Sequence, residues 1–215
     1  GRVLARHVDE AGRIDFAGLA KAPADLETYV TWVWVVSPAS NPREFPTRES
    51  VLAYYLNAYN ALAMYNVLQS GIPPELESIK VRFFYRNRLP MGGKRISLYD
   101  LENRLVRPIG DPRVHFALNC MVRSCPRLPR EPFVAERLDA QLDAAAREFL
   151  NDKRNVDLLP GSRTARVSMI LNWYEKDFLI KAPNLAAYIA RYRAARIPAR
   201  YEIEFIPYDW TLNRQ

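Results

Sequence analysis

The sequence predicts an α+β fold: a single domain, helix-rich, with a small, mostly antiparallel sheet built from hairpins and a central His-bearing strand. Three observations predict it. Of 215 residues 49% are hydrophobic and 26% charged, enough for one packed core and outside the composition of disordered chains. Apolar residues recur at three-to-four spacing through several long segments, as helices require. Between these segments, short runs flank glycines in the manner of hairpins. Residues 1–24 are read as an N-terminal arm and residues 25–215 as the domain.

Leu26, Tyr29, Val30, Val33 and Val35 mark a first helix that must stop before Ser37-Pro38. Thr47, with Glu49 and Ser50 behind it, offers an N-cap for a long helix to about Gln69, closed by Gly71, Ile72, Pro73 and Pro74. Leu52, Leu56 and Val67 occupy one side of that helix and Tyr54, Asn57, Asn60 and Met64 another, so it is expected at the centre. Ile79, Val81 and Phe83 alternate with Lys80, Arg82 and Phe84, and a hairpin joins them across Gly92-Gly93 to Lys94–Ser97. Ser97 with Asp100 resembles a capping box for a short helix through Leu105. Val114–Cys120 is the expected His-bearing strand, with His115, Ala117 and Asn119 on one face and Phe116, Leu118 and Cys120 on the other. Leu138, Leu142, Ala146 and Phe149 mark an amphipathic helix, and Asn155–Leu158 with Thr164–Val167 a second hairpin. Ser168 caps the segment to Phe178, Pro183 opens a helix through Arg193, and Tyr201–Phe205 forms a last strand.

Lys and Arg number 31 against 24 Asp and Glu, a net charge of +7. The basic residues between Lys80 and Arg130 accompany no nucleic-acid-binding motif, so nucleic acid is not expected as a partner. A small anionic or carbonyl-bearing substrate suits arginine's forked donors better. Two cysteines cannot build a disulfide scaffold. The longest strongly apolar run, Tyr29–Val36, falls far short of the roughly 20 residues of a membrane helix, so no span is expected. No cofactor is expected, and the oligomeric state leaves no signature.

Of the two histidines, His7 lies in the arm, where fraying is expected. His115 sits among Asp111, Arg113, Asn119, Cys120, Ser124 and Cys125. Cys125 is the candidate nucleophile: Pro126 holds it extended, Arg123 and Arg127 favour a thiolate, and a helical turn begun at Pro126 adds its N-terminal charge. Cys120, inside the strand, is expected to be inert; a Cys120–Cys125 disulfide is the alternative. His115 is the candidate base, with Glu102 preferred to Asp111 as the group that orients it. Asn57 and Asn60 are candidates for substrate or oxyanion binding, although a tie to a neighbouring loop or strand is the commoner role of buried amides. Asn119 and Arg113 complete the candidate substrate-binding set. A zinc site of His115, Cys120 and Cys125 is not expected, because residues five apart on a strand point to opposite faces and no fourth Cys or His is near.

Tyr55-Leu56-Asn57-Ala58-Tyr59-Asn60-Ala61-Leu62, Ser97-Leu98-Tyr99-Asp100-Leu101-Glu102, and Asp111 to Cys120 with Ser124-Cys125-Pro126 together resemble the domain of unknown function 547 family. The resemblance extends to Ile170-Leu171-Asn172-Trp173-Tyr174 with Asp177-Phe178, and to Tyr208–Asn213. Asn57, Asn60, Glu102, His115, Cys120 and Cys125 are the positions that match the family's motif. The family's activity is unassigned. Its bacterial members often look exported, so the resemblance implies a periplasmic or secreted location, and its plant members join the domain to a coiled coil. Two functions are open: a cysteine-dependent hydrolase or acyl transferase using Cys125, His115 and Glu102, or a non-catalytic exported binding module with Cys120 and Cys125 bridged.

Overall fold

A computed structural model describes all 215 residues. Its order begins with helices α1 (Arg2–His7), α2 (Phe16–Lys21), α3 (Ala24–Val35) and α4 (Arg48–Gln69). Strands β1 (Leu89–Met91) and β2 (Lys94–Ile96) follow, then α5 (Leu98–Asp100), α6 (Leu138–Asn151), β3 (Val156–Leu159) and β4 (Thr164–Ser168). Three short helices, α7 (Met169–Trp173), α8 (Glu175–Leu179) and α9 (Leu185–Ile189), precede the last strand, β5 (Glu202–Ile206). The α+β reading holds, and no helix is long and apolar enough to cross a membrane.

α4 is the central element because it is apolar all round: Leu52, Leu56, Leu62 and Val67 on one side and Tyr54, Asn60 and Met64 on another are all buried. Thr47 caps it as expected, its hydroxyl accepting from Ser50 N at 3.1 Å. Ser97 likewise caps α5, accepting from Asp100 N at 3.0 Å. Residues 1–24 are integral: Val8, Ile14, Phe16 and Leu19 are buried in the α4 core and Ile14 bridges to Arg214. His7 is buried too, against the fraying expected of it.

Two hydrophobic cores form. One surrounds α4; the other gathers Phe116, Phe149, Val167, Phe178 and Tyr188 beneath the three-stranded sheet β3-β4-β5. β3 and β4 pair antiparallel, but β5 joins β4 in parallel, so that sheet is not wholly a hairpin product.

Three local expectations fail, each for a physical reason. Val114–Cys120 is not a strand: Asp111 accepts from Arg113 N and Pro112 opens a 3-10 turn over Pro112–Phe116. Val114 through Asn119 are all buried, so the alternation read there reflected no exposed face. The segment runs along the seam, Val114, Ala117 and Leu118 in the α4 core and Phe116 in the other. Ile79–Phe84 is not a hairpin arm either. It winds helically, with Asn87 N donating to Arg82 O and Phe83 N to Ile79 O, while β1 starts only at Leu89. The Gly92-Gly93 turn is correct, both residues having positive φ as a tight hairpin turn demands. Pro183 does not lie within a helix; Asn184 caps α9, accepting from Ala187 N at 2.8 Å, and the helix stops at Ile189.

Asn60 fastens α4 to the seam. Its Nδ2 donates to Ala117 O at 3.0 Å and its Oδ1 accepts from Asn119 N at 2.8 Å. Asn60→Ala strands both backbone groups in the core, so urea unfolding is expected to report a loss of about 2–4 kcal/mol. A loss below about 0.5 kcal/mol would mean that the seam does not depend on this bridge.

Candidate active site

The chain from Ala117 to Pro126 closes into a tight loop on the seam. Asn119 organises it, accepting from Met121 N at 2.7 Å and donating to Pro126 O at 2.6 Å. Met121 adopts φ 75°, a conformation costly for a side chain with a Cβ, and the reversal brings Cys120 and Cys125 face to face. The C-terminal segment is stitched to the same loop: Arg123 N donates to Thr211 O, Asn213 N to Met121 O, and Asp209 N to Ser124 Oγ. That stitching carries Tyr208 onto the sulfurs.

Both cysteines are free thiols, their Sγ atoms 2.7 Å apart. Cys125 Sγ accepts from Cys120 N at 3.1 Å and lies 3.3 Å from the Tyr208 hydroxyl, which is 3.7 Å from Cys120 Sγ. Burial pushes the Cys125 thiol up, but hydrogen bonds from Cys120 Sγ, Tyr208 and the loop backbone outweigh it and hold Cys125 below the ordinary thiol value. The Cys120 thiol, donating to its neighbour and buried, is held well above it. Cys120 is therefore not inert, as its expected strand position implied, but a donor to Cys125. The lowering also does not arise as the sequence suggests: Pro126 begins no helix, Arg127 pairs with Glu148, and neither Arg123 nor Arg127 lines the cavity. Tyr208→Phe removes one donor that favours the charged form of the sulfur, worth about one pH unit or more, so the alkylation profile of Cys125 is expected to move to higher pH. An unmoved profile would show that the tyrosine does not stabilise the thiolate.

His115 lies at the seam with its ring stacked on Tyr174, centroids 3.8 Å apart, and edge-on to Phe178. Its orienting carboxylate is neither Glu102 nor Asp111. His115 Nε2 is 2.8 Å from Asp177 Oδ2, and the same carboxylate is held bidentately by Arg107. Asp177 is drawn well below the usual carboxylate range: hydrogen bonds from His115 and Arg107 overcome the opposing effect of burial. An ionised carboxylate only accepts, so Nε2 carries the proton and Nδ1 is the free position. Nδ1 is buried and has no partner.

Glu102 faces Tyr59, whose hydroxyl is 3.5 Å from Oε2, while its Oε1 is buried without a partner. Burial first, and then the Glu102 carboxylate, hold Tyr59 and Tyr174 well above the usual phenol value, so both remain donors. Asp111 instead pairs with Arg113, which also meets Asp139 and Asp143.

Cys120, Cys125, His115, Glu102, Tyr59, Tyr174, Tyr208 and Arg107 all line one cavity of about 460 Å³. Trp173, Tyr208 and Trp210 form one wall, with neighbouring centroids 4.7 and 4.8 Å apart, and Tyr85 and Tyr99 another at 4.6 Å. Lys80 sits over Trp210. His115 and Cys120 share this cavity, so the opposite-face reasoning against a joint zinc site fails with the strand it assumed. No three His, Cys, Asp or Glu side chains are grouped so as to hold a metal ion.

The remaining candidates lie elsewhere. Asn57 ties α4 to Phe133, donating to its carbonyl at 2.8 Å and accepting from its N–H at 3.0 Å. Asn57 and Asn60 line a separate, larger cavity of about 840 Å³, and Asn119 and Arg113 line neither. The sequence reading assigned no role to Asp177, Tyr174 or Tyr208, although all three stand in the segments that carry the resemblance.

No curated protein and no solved structure matches the chain. The family described as "Protein of unknown function, DUF547" matches residues 42–150, which include Asn57, Asn60, Glu102, His115, Cys120 and Cys125 but stop short of Asp177 and Tyr208. Since the match spans more than half of the sequence, the chain belongs to the DUF547 family.

Proposed function

We propose that the protein is a cysteine-dependent hydrolase or acyl transferase acting on a small carbonyl-bearing substrate. The observation that carries this reading is the Cys125 sulfur, which sits in an aromatic-walled cavity with its hydrogen bonds arranged to favour the thiolate. In this mechanism Cys125 Sγ attacks the substrate carbonyl, forming a C–S bond and a tetrahedral oxyanion. His115, its Nε2–H fixed on Asp177, takes up a proton from solvent at Nδ1 and delivers it to the leaving group as the C–X bond breaks. Water, or another acyl acceptor, then releases the acyl group.

Two features support a ligand here. His115 Nδ1 and Glu102 Oε1 are buried, unpartnered and on residues lining the cavity, at a cost of about 1–3 kcal/mol each unless the occupant bonds to them. Cys125 and His115 share no hydrogen bond, so the bonds that favour the charged sulfur come from Cys120 and Tyr208, and His115 acts on the substrate rather than on the sulfur.

The reduced protein is to be incubated with a thioester of a small carboxylic acid and weighed intact. An acyl adduct on Cys125, absent from Cys125→Ala, is expected; labelling of Cys120 or of no residue counts against the reading. The competing reading, a bridged Cys120–Cys125 pair in an exported binding module, draws on the closeness of the sulfurs. It requires that protein purified without reductant contain no alkylatable thiol.

A further inference from the structure

We propose that Cys120 and Cys125 form a reversible dithiol–disulfide site that reacts with hydroperoxides, Cys125 as the attacking sulfur and Cys120 as the resolving one. The consequence for acyl transfer rests on the reading above; the redox chemistry stands apart from it.

The geometry is that of a poised pair. The sulfurs are 2.7 Å apart, so a disulfide of about 2.05 Å needs them to close by well under an ångström. They are held there by independent anchors: the Asn119 bridges at both ends of the loop and the positive-φ reversal at Met121. The Tyr208 hydroxyl reaches both sulfurs, and both cysteines line the open cavity, so a small oxidant has access. The two thiols are also electrically unlike. Cys125 receives hydrogen bonds that favour its charge, whereas Cys120 keeps its proton. Peroxide chemistry needs that asymmetry, because the thiolate is the attacking form.

The steps balance. The Cys125 thiolate attacks the terminal oxygen of a hydroperoxide; an S–O bond forms, the O–O bond breaks, and the alcohol leaves with a proton taken up from solvent. Cys125 is then a sulfenic acid. Cys120 attacks the Cys125 sulfur, the S–S bond forms, the S–O bond breaks, and hydroxide leaves as water with the Cys120 proton. The two thiols have been oxidised by two electrons and the hydroperoxide reduced to alcohol and water. A low-molecular-weight thiol restores the pair by exchange, being itself oxidised to its disulfide. While bridged, Cys125 has no free sulfur to attack a carbonyl, so oxidation switches the proposed acyl chemistry off.

The experiment uses the full chain, reduced, freed of reductant and treated with a small excess of hydrogen peroxide. Maleimide titration and intact mass are read before and after, then again after added thiol. Wild type is expected to lose both titratable thiols together, to lose the mass of two hydrogens as a monomer, and to regain both thiols on reduction. Cys120→Ala is expected to gain oxygen at Cys125 instead. Wild type that gains oxygen at Cys125 while Cys120 stays alkylatable, that keeps both thiols, or that bridges between two chains overturns the proposal. Should Cys120→Ala fail to fold, the wild-type mass and thiol count alone decide. Acylation of the reduced sample by the thioester is scored separately, so a failed acyl reading and a failed dithiol reading give different results.

Discussion

Cys125→Ala is expected to lower thioester turnover by the reduced protein about a thousandfold or more, and Cys125→Ser to do nearly as much. The serine result is the more informative. In an arrangement where a base contacts the nucleophile, a hydroxyl is activated by the same imidazole that activates a thiol. Here no imidazole touches residue 125: its partners are the Cys120 thiol and amide and the Tyr208 hydroxyl. Those donors stabilise an anion already within reach of neutral pH, as a thiolate is, but none can take a proton from the far weaker acid of a serine. Initial rates with a thioester, alongside circular dichroism to show that the variants are folded, provide the check. A serine variant within tenfold of wild type would place a base beside residue 125 and contradict the division of labour described.

Asp177→Asn is expected to reduce turnover by about 10²–10⁴-fold. It leaves the cavity's shape nearly intact but removes the charge that fixes the proton on His115 Nε2 and answers Arg107. The amide can offer its N–H to Nε2, which would move the ring proton to Nδ1, the position that must exchange protons with substrate. The same substitution should cost about 2–3 kcal/mol of stability at neutral pH, since an arginine and an imidazole at the seam lose their shared acceptor. The sign of the pH dependence follows from the depressed Asp177 carboxyl. A carboxyl held lower in the folded state stabilises above its unfolded value, near 3.9, and that contribution fades as pH falls. Urea unfolding should therefore separate wild type from Asp177→Asn near pH 7 and draw them progressively closer as pH falls below about 3.9. A gap that widens in acid would show that Asp177 is not held ionised.

What was legible in the sequence divides along physical lines. Elements with an exposed face or a cap could be read: α4 with Thr47, α5 with Ser97, the amphipathic α6, and the β3–β4 hairpin. Elements buried on every side could not. Val114–Asn119 carries no hydrophilic face to set a period, so alternation of residue types was mistaken for strand geometry. Ile79–Phe84 fails for a different reason: Lys80, Val81 and Arg82 are exposed, but the alternating sequence is wound into helical turns by bonds from Phe83 N to Ile79 O and Asn87 N to Arg82 O.

The site followed a similar rule. Cys125, His115, Glu102 and Cys120 share one cavity and were singled out because thiols, an imidazole and acids concentrate near one another in the chain. Asp177 and Tyr208 lie 62 and 83 residues from their partners, His115 and Cys125, and only the fold brings them together. Glu102 and Asp111 are the acids nearest His115 in sequence, and that proximity says nothing about which carboxylate a tertiary seam delivers. Asn57 and Asn60 proved to be bridges between backbone segments, the commoner fate of buried amides.

The central claim is that the hydrogen bonds in the cavity hold the Cys125 thiol below its ordinary value. The rate of its alkylation by iodoacetamide across pH, with the modified residue identified by mass, tests this without any knowledge of the substrate. An inflection below about 8.5, the value of a free cysteine, with carbamidomethyl on Cys125 and not on Cys120, is the result expected. An inflection at or above that value, or Cys120 reacting first, would contradict it.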